Sequence, residues 1–270
     1  MRTMLMMVAM VLVCGCATSN ELQFAPEPSA IILGANAGQL VRAVCIGWNR
    51  VDPDKWGGWS GNLSDCEFDA TFAREMWESF GIASTQLLTE AATIENCKAA
   101  LRWGLEGMTN GDMLIVWTSG HGGQGPDAMN EGSDRLGEYI CAYDGKVLDN
   151  TIRQWLTLAP EGVHILWICD TCHSGTMFKD VPVKFRPEAI PAEFEGELIL
   201  LAGCGEDGFS LSTGQGGMWS TALHDTGPQG QSPESWFKAA KQRVPEDQQV
   251  PVYAEYGVVG EDFRCGVIVE

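Results

Sequence analysis

Cys172 and His121 are the residues whose type and setting could do covalent chemistry. Cys172 lies in the stretch Gly162 to Thr176, GVHILWICDTCHSGT, where the apolar run Val163 to Cys169 stops at Asp170-Thr171-Cys172-His173-Ser174-Gly175. The run is short enough to be a strand buried on both faces. His121 follows a second run of the same shape, Asp112 to Thr118 (DMLIVWT), which ends in Ser119-Gly120-His121-Gly122-Gly123. A buried strand that ends in small, polar and reactive groups is how an open α/β sheet presents chemistry at its carboxyl edge. A thiol needs a base or a cation beside it to become a thiolate at neutral pH. Two parallel strands that end side by side would supply that pairing, with Cys172 as nucleophile and His121 as the group that moves protons.

Other chemistry fits some of the same letters. Cys169 to His173 matches the C-x-x-C-H pattern of covalent haem attachment, and C-x-x-C matches a redox dithiol. Both need two accessible sulfurs, whereas Cys169 falls inside the apolar strand, and neither accounts for SGHGG. Cys172 alone could be a buried structural thiol and His121 alone a satisfied loop histidine. Their matched positions at two strand ends speak against both plain readings.

The elements that must hold these residues read as alternating strands and helices. Arg42 to Gly47 (RAVCIG) is a first strand, followed by a loop from Trp48 to Gly61. Asp65 to Phe80 has helical spacing, with Phe68, Phe72, Met76, Trp77 and Phe80 predicted on the buried face and Gly81 ending it. Ile82 to Leu88 is a second strand. Thr93 caps a helix to Met108, with Ile94, Cys97, Leu101 and Leu105 toward a sheet. This alternation predicts a mostly parallel sheet. Further on, Asn150 to Leu158 is a short helix, Glu197 to Gly203 (ELILLAG) a buried strand, and Glu234 to Val244 a helix. Arg264 to Val269 reads as an edge strand.

SGHGGQ followed by DTCHSG resembles the metacaspases and bacterial orthocaspases, a family of caspase-like cysteine peptidases; the usual form is DCCHSG, and Thr171 takes its middle position. The likeness runs from about Arg42 to the C-terminus. RAVCIG, Cys66-Glu67-Phe68-Asp69-Ala70, Cys204-Gly205-Glu206-Asp207, Gly216 to Leu223 and Gln249 to Tyr253 each resemble a family segment. The implied fold is an α/β caspase-like sandwich, a mostly parallel central sheet flanked by helices. The implied activity is that of a cysteine-type endopeptidase working through a Cys172/His121 dyad and a thioester. The backbone N–H groups of Gly122 and Cys172 would form the oxyanion hole. Cys66, Asp69, Ser119 and Asp170 would line a pocket that takes Arg or Lys before the cut bond. For Asp69 by itself, first-turn helix stabilisation is the ordinary reading. Many relatives bind an activating calcium through acidic residues, and here Gln124 to Asp149 carries Asp127, Glu131, Asp134, Glu138, Asp144 and Asp149. The doubled aspartate is Asp149-Asn150, however, and the segment reads better as a solvated acidic loop. The expectation is therefore no required cofactor, with calcium optional and no metal ligand assigned.

Bulk properties bound the function. The chain has 270 residues, enough for one large α/β domain, and a net charge of −19, which excludes nucleic acid as the natural partner and suits basic peptide substrates. Arg2 and the apolar run Met4 to Val13 read as a signal, and Val13-Cys14-Gly15-Cys16 resembles a bacterial lipobox. The predicted organisation is a lipoprotein signal at residues 1–16, a tether at 17–40 and the peptidase domain at 41–270. That organisation would make Cys16 the lipidation site and the protein an exported monomer anchored to the cell envelope, at the outer membrane in a Gram-negative cell; the plain alternative is an ordinary secretory signal cut nearby. The other cysteines show no disulfide framework. Lys179, Lys184 and Arg186, soon after Cys172, offer bonds for self-cleavage. Two further readings are a catalytically silent, peptide-binding lipoprotein of the same fold and an electron carrier.

Overall fold

A computed structural model describes residues 38–126, 136–178 and 194–269. The signal segment, the tether up to residue 37, part of the acidic segment and the stretch with Lys179, Lys184 and Arg186 lie outside the described residues. In chain order the elements are β1 (Val41–Gly47), α1 (Cys66–Ser79), β2 (Ala83–Leu88), α2 (Ile94–Leu105), β3 (Met113–Ser119), β4 (Gly122–Pro126), β5 (Leu136–Ala142) and β6 (Gly145–Leu148). They continue with α3 (Asp149–Leu156), β7 (His164–Asp170), β8 (Glu197–Ala202), α4 (Met218–Thr226), α5 (Pro233–Lys241), β9 (Val252–Tyr256) and α6 (Glu261–Cys265).

The central sheet has six strands in the order β2-β1-β3-β7-β8-β9, parallel throughout except for β9, which pairs antiparallel with β8 at the edge. β1, β3 and β7 are buried along their whole length. That is why they read as apolar runs without alternation: a parallel sheet between helix layers has no wet face. One face packs α2 and α3, through Leu101, Ile152 and Trp155 against Val44, Val116 and Trp167. The other packs α1, α4, α5 and α6, through Trp77, Trp219, Trp236 and Phe263 against Ile115, Leu166 and Leu201. Ile115, Leu166, Ile168 and Leu201 are fully buried, and each such side chain contributes about 1.5–3 kcal/mol over exposure. That surplus lets the sheet tolerate polar burial at its ends.

Three features differ from the expectations. α1 forms where the spacing predicts it, but it buries Cys66, Asp69, Ala70, Ala73 and Trp77. Phe68 is 56% exposed, and Phe72 stacks beside it at 5.9 Å between ring centroids. Small Ala70 and Ala73 let the helix sit close on the sheet and turn the larger rings outward. The acidic segment is not simply a loop: β4, β5 and β6 form a separate antiparallel sheet. Glu138 is fully buried in it, accepting from Thr176 Oγ1 at 2.9 Å. Finally, Arg264 to Val269 is not an edge strand; α6 occupies its start, Val269 makes only an isolated bridge to Gln229, and the sheet edge is β9. The Thr93 cap is as predicted, its side chain accepting from Asn96 N at 3.2 Å.

Candidate active site

The register of two neighbouring strands builds the site. β3 and β7 are parallel partners, and the last residue of each, Ser119 and Asp170, face one another across the pair. Each chain then runs on by two residues, to His121 from one strand and Cys172 from the other. Both side chains therefore leave the same carboxyl edge from adjacent tips, and Gly120 N donates to Asp170 O across the gap at 3.3 Å. Past β7 the chain reverses at His173, a non-glycine residue in the left-handed region at φ 59°, and enters a short helical turn at Ser174–Thr176. His173 is tied there by its N–H to Gly208 O at 3.1 Å. This sharp exit puts Cys172 at a strand tip, half-buried.

Gly122 sits against the nucleophile candidate. A Cβ built on it would stand 2.1 Å from Cys172 O and 3.0 Å from Thr171 Oγ1. Only glycine allows that approach of backbone to backbone. Burial pushes the Cys172 thiol up, opposed by backbone hydrogen bonds from Ser210, Gly122 and its own residue. Burial pushes His121 down, opposed by a hydrogen bond to the Gly61 backbone. The two shifts agree in favouring the uncharged thiol and the uncharged imidazole. The ring of Trp59 lies 5.0 Å from that of His121 between centroids and covers it from the loop after β1.

Beside the dyad lies a cavity of about 430 Å³, lined by Asp65, Cys66, Ser119, Asp170, Ser210 and Gly217 among others. Asp69 and Asp170 are buried, at 3% and 4% exposure. Ser119 Oγ donates to Asp69 Oδ2 at 2.6 Å, and Gly217 N donates to both Asp69 oxygens at 3.0 and 3.1 Å. Asp170 Oδ1 accepts from the Ser210 hydroxyl and Oδ2 from Ser220 N at 2.8 Å. A Cβ on Gly217 would stand 2.2 Å from Asp170 Oδ2 and 3.0 Å from Asp69 Oδ2, so this residue is wedged between the two carboxylates. Burial, then the charge of Asp170, raises Asp69 to about 7, and burial raises Asp170. Every partner just named is a hydroxyl or a backbone N–H; none carries positive charge. Cys66 is buried and pushed up to about 12 by burial, so it is a wall and no nucleophile.

Cys66, Ser119 and Asp170 thus line this cavity together, while Asp69, bonded to Ser119, lines a second cavity of about 530 Å³ with Phe68, Trp117 and Ser220. Sequence reasoning missed Asp65, Ser210, Ser212, Gly217, Ser220 and Gly61. Asp65 takes hydroxyl bonds from Ser212 and Ser64, and these hold it below the usual carboxylate range. It precedes α1 at the N-cap position, but its side chain makes no capping bond. Cys169 is fully buried in β7, with Sγ 3.2 Å from Thr171 Oγ1, which leaves it no room to share a haem or a dithiol bridge with Cys172. In the acidic segment, Asp144 accepts from Ile94 N at 2.8 Å and Asp149 from Asn150 N at 2.6 Å, so both serve local structure. Asp127, Glu131 and Asp134 lie outside the described residues.

The model of the family described as metacaspase, peptidase C14 domain, matches residues 42–182. The chain belongs to the metacaspase family. Metacaspase-1 of Cryptococcus neoformans is 32% identical over 167 residues, covering 56% of this chain and 35% of that protein. Metacaspase-3 of Arabidopsis thaliana is 32% identical over 183 residues, covering 62% and 49%. The chain spans a third to a half of the curated relatives it matches. A crystal structure of a Geobacter sulfurreducens protein superposes with a TM-score of 0.73 at 27% identity, over 86% of this chain and all of that one. The matched region of the metacaspase family model begins at β1 and runs past the Cys172 turn, so it contains both strand tips.

Proposed function

We propose that this metacaspase is a cysteine endopeptidase that cuts after Arg or Lys. The observation that carries the reading is the β3/β7 register, which sends His121 and Cys172 out from paired strand ends. The cationic side chain of the substrate enters the cavity and supplies the positive partner that Asp65, Asp69 and Asp170 lack among the described residues. Buried carboxylates are costly without such a partner, so binding energy is stored for a basic residue and denied to an acidic one.

With the scissile carbonyl at the thiol, His121 takes the Cys172 proton and the sulfur adds to the carbonyl carbon. The oxyanion is stabilised by the backbone N–H groups of Gly122 and Cys172. The tetrahedral adduct collapses as His121 passes its proton to the amine, which leaves with the new N-terminus. Water, deprotonated by His121, then attacks the thioester, the acid product departs, and the thiol recovers its proton.

The described residues include no helix long and apolar enough to cross a membrane. The lipobox-like sequence ending at Cys16 supports an envelope anchor, and mass analysis of the N-terminal peptide with and without Cys16→Ser tests it through loss of a diacylglycerol-sized adduct. The catalytic reading is tested with fluorogenic peptides bearing Arg, Lys or Asp before the reporter, with and without calcium. The expected result is cleavage of the first two by wild type and by no Cys172→Ala sample; Asp cleavage, or equal turnover by the variant, overturns it. A silent peptide-binding protein would bind the Arg peptide and cut none.

A further inference from the structure

At the opposite edge of the same sheet, we infer that His164, Glu197 and Asp262 form a zinc-class cation site. His164 and Glu197 are the first residues of β7 and β8 and are direct partners in the parallel register. Leu166 and Ile168 of β7, and Ile199 and Leu201 of β8, belong to the core on the α1/α4 side. By strand alternation His164 and Glu197 point to that side too. α6 lies there, held through Phe263, and its second residue is Asp262. One ligand atom from each of the three residues lies within 4.8 Å of the other two.

The local chemistry favours an ion over a simple ion pair. His164 is 6% exposed, and its Nε2 is 3.5 Å from Glu197 Oε2, longer than an ordinary hydrogen bond; Oε2 also accepts from Gly260 N at 3.0 Å, which holds the carboxylate at the start of α6 and leaves a second lone pair for an ion. Around zinc, bonds of about 2.0–2.1 Å to nitrogen and oxygen put neighbouring tetrahedral ligands roughly 3.4 Å apart. The imidazole and Glu197 are already spaced that way, and Asp262 offers the third vertex within 4.8 Å of both. Phe263 stacks on the His164 ring at 4.4 Å and 7°, which fixes the imidazole plane. Asp112, next along the edge, is already occupied by Leu40 N and by the N–H and hydroxyl of Thr109, so it is not a fourth ligand. The exposed side of Asp262 leaves the fourth position to water. An imidazole donor selects zinc-like ions over calcium or magnesium, which prefer all-oxygen sites. The seven residues of β7 separate this site from Cys172 by roughly 20 Å. The ion would therefore staple α6 to β7 and β8 and leave the dyad untouched.

The test uses the full chain carrying Cys172→Ala, stripped with chelator, so that the nucleophile cannot bind metal. Zinc content after equilibrium dialysis at micromolar free zinc, and the thermal midpoint with and without zinc or calcium, are measured. They are repeated with Asp262→Asn and Glu197→Gln added singly. The inference expects one zinc per chain, a midpoint raised by several degrees with zinc and not with calcium, and loss of both effects in each added variant. Cobalt substitution adds a readout: absorption of a nitrogen and oxygen site without thiolate charge transfer. Zinc uptake unchanged in Asp262→Asn and Glu197→Gln, strong thiolate bands, or no uptake at all overturns it. Asp262 is exposed, so its variant tests the idea even where a change at Glu197 unfolds the chain.

Discussion

Asp112 and Asp170 bracket the two edges of the central sheet and are finished in opposite ways. Asp112 precedes β3 and accepts three donors from its own neighbourhood: Leu40 N at 2.7 Å, Thr109 N at 2.6 Å and Thr109 Oγ1 at 3.1 Å. Asp170 ends β7 in full burial, faces a second buried carboxylate at Asp69, and is raised by that burial. Both aspartates take donors from the fold, but Asp170 takes them in burial beside a second carboxylate, with no cation among the partners described. The difference sets a carboxylate that serves the local fold apart from one that the proposed function uses for recognition, at the other end of the strands.

The comparison breaks most visibly at Asp170. Asp170→Asn should lower kcat/KM for Arg peptides by about a hundredfold or more, as loss of one partner of a buried charge pair does. Its thermal midpoint at pH 8 should hold or rise. A large drop in stability with intact Arg cleavage would erase the distinction. Asp112→Ala should do the reverse: about 2–3 kcal/mol of stability lost in denaturant titration, from donors left without an acceptor, and unchanged kcat/KM per folded molecule.

Acidity sharpens the same contrast. Asp69 is raised to about 7, so its folded form holds a proton that the unfolded chain releases near its ordinary value. The folded state then binds more protons between about pH 4 and 7, and stability falls as pH rises through that window. Asp69→Asn should flatten this fall, by on the order of 2 kcal/mol between the two ends. Wild-type kcat/KM for Arg peptides should climb over the same range as the pocket ionises and as His121, lowered by burial, loses its proton. The smallest effect belongs to Thr171, buried beside the dyad and bonded to Cys169. Thr171→Cys, which restores the more usual family sequence, should change stability by under about 1 kcal/mol and Arg turnover by about twofold or less.

Much of this arrangement was legible in the sequence, for one reason. Strands buried on both faces have little choice of residue, so Val163–Cys169 and Met113–Thr118 announced themselves, and the polar letters after them marked the carboxyl edge that carries the candidate site. The Thr93 cap was legible because its side chain does a local job. What failed involved contacts distant in sequence. Phe68 and Phe72 share helical spacing with Trp77, but only the closeness of Ala70 and Ala73 to the sheet decides which face goes in. Glu138 looked solvated because nothing nearby in sequence reveals Thr176 as its partner. Ser210, Ser220 and Gly217 reach Asp69 and Asp170 from a loop and a helix start about 40 to 150 residues away. α6 lies where an edge strand was expected, because β9 already closes the sheet.

The most direct measurement offers the full chain two electrophilic peptidyl ketones, one with Arg and one with Asp at the recognition position, and maps the modified residue by mass spectrometry. The account predicts a single adduct on Cys172 from the Arg reagent, abolished when Asp170→Asn is introduced, and none from the Asp reagent. Label on Cys141, Cys204 or Cys265 in place of Cys172, or equal labelling by both reagents, would contradict it.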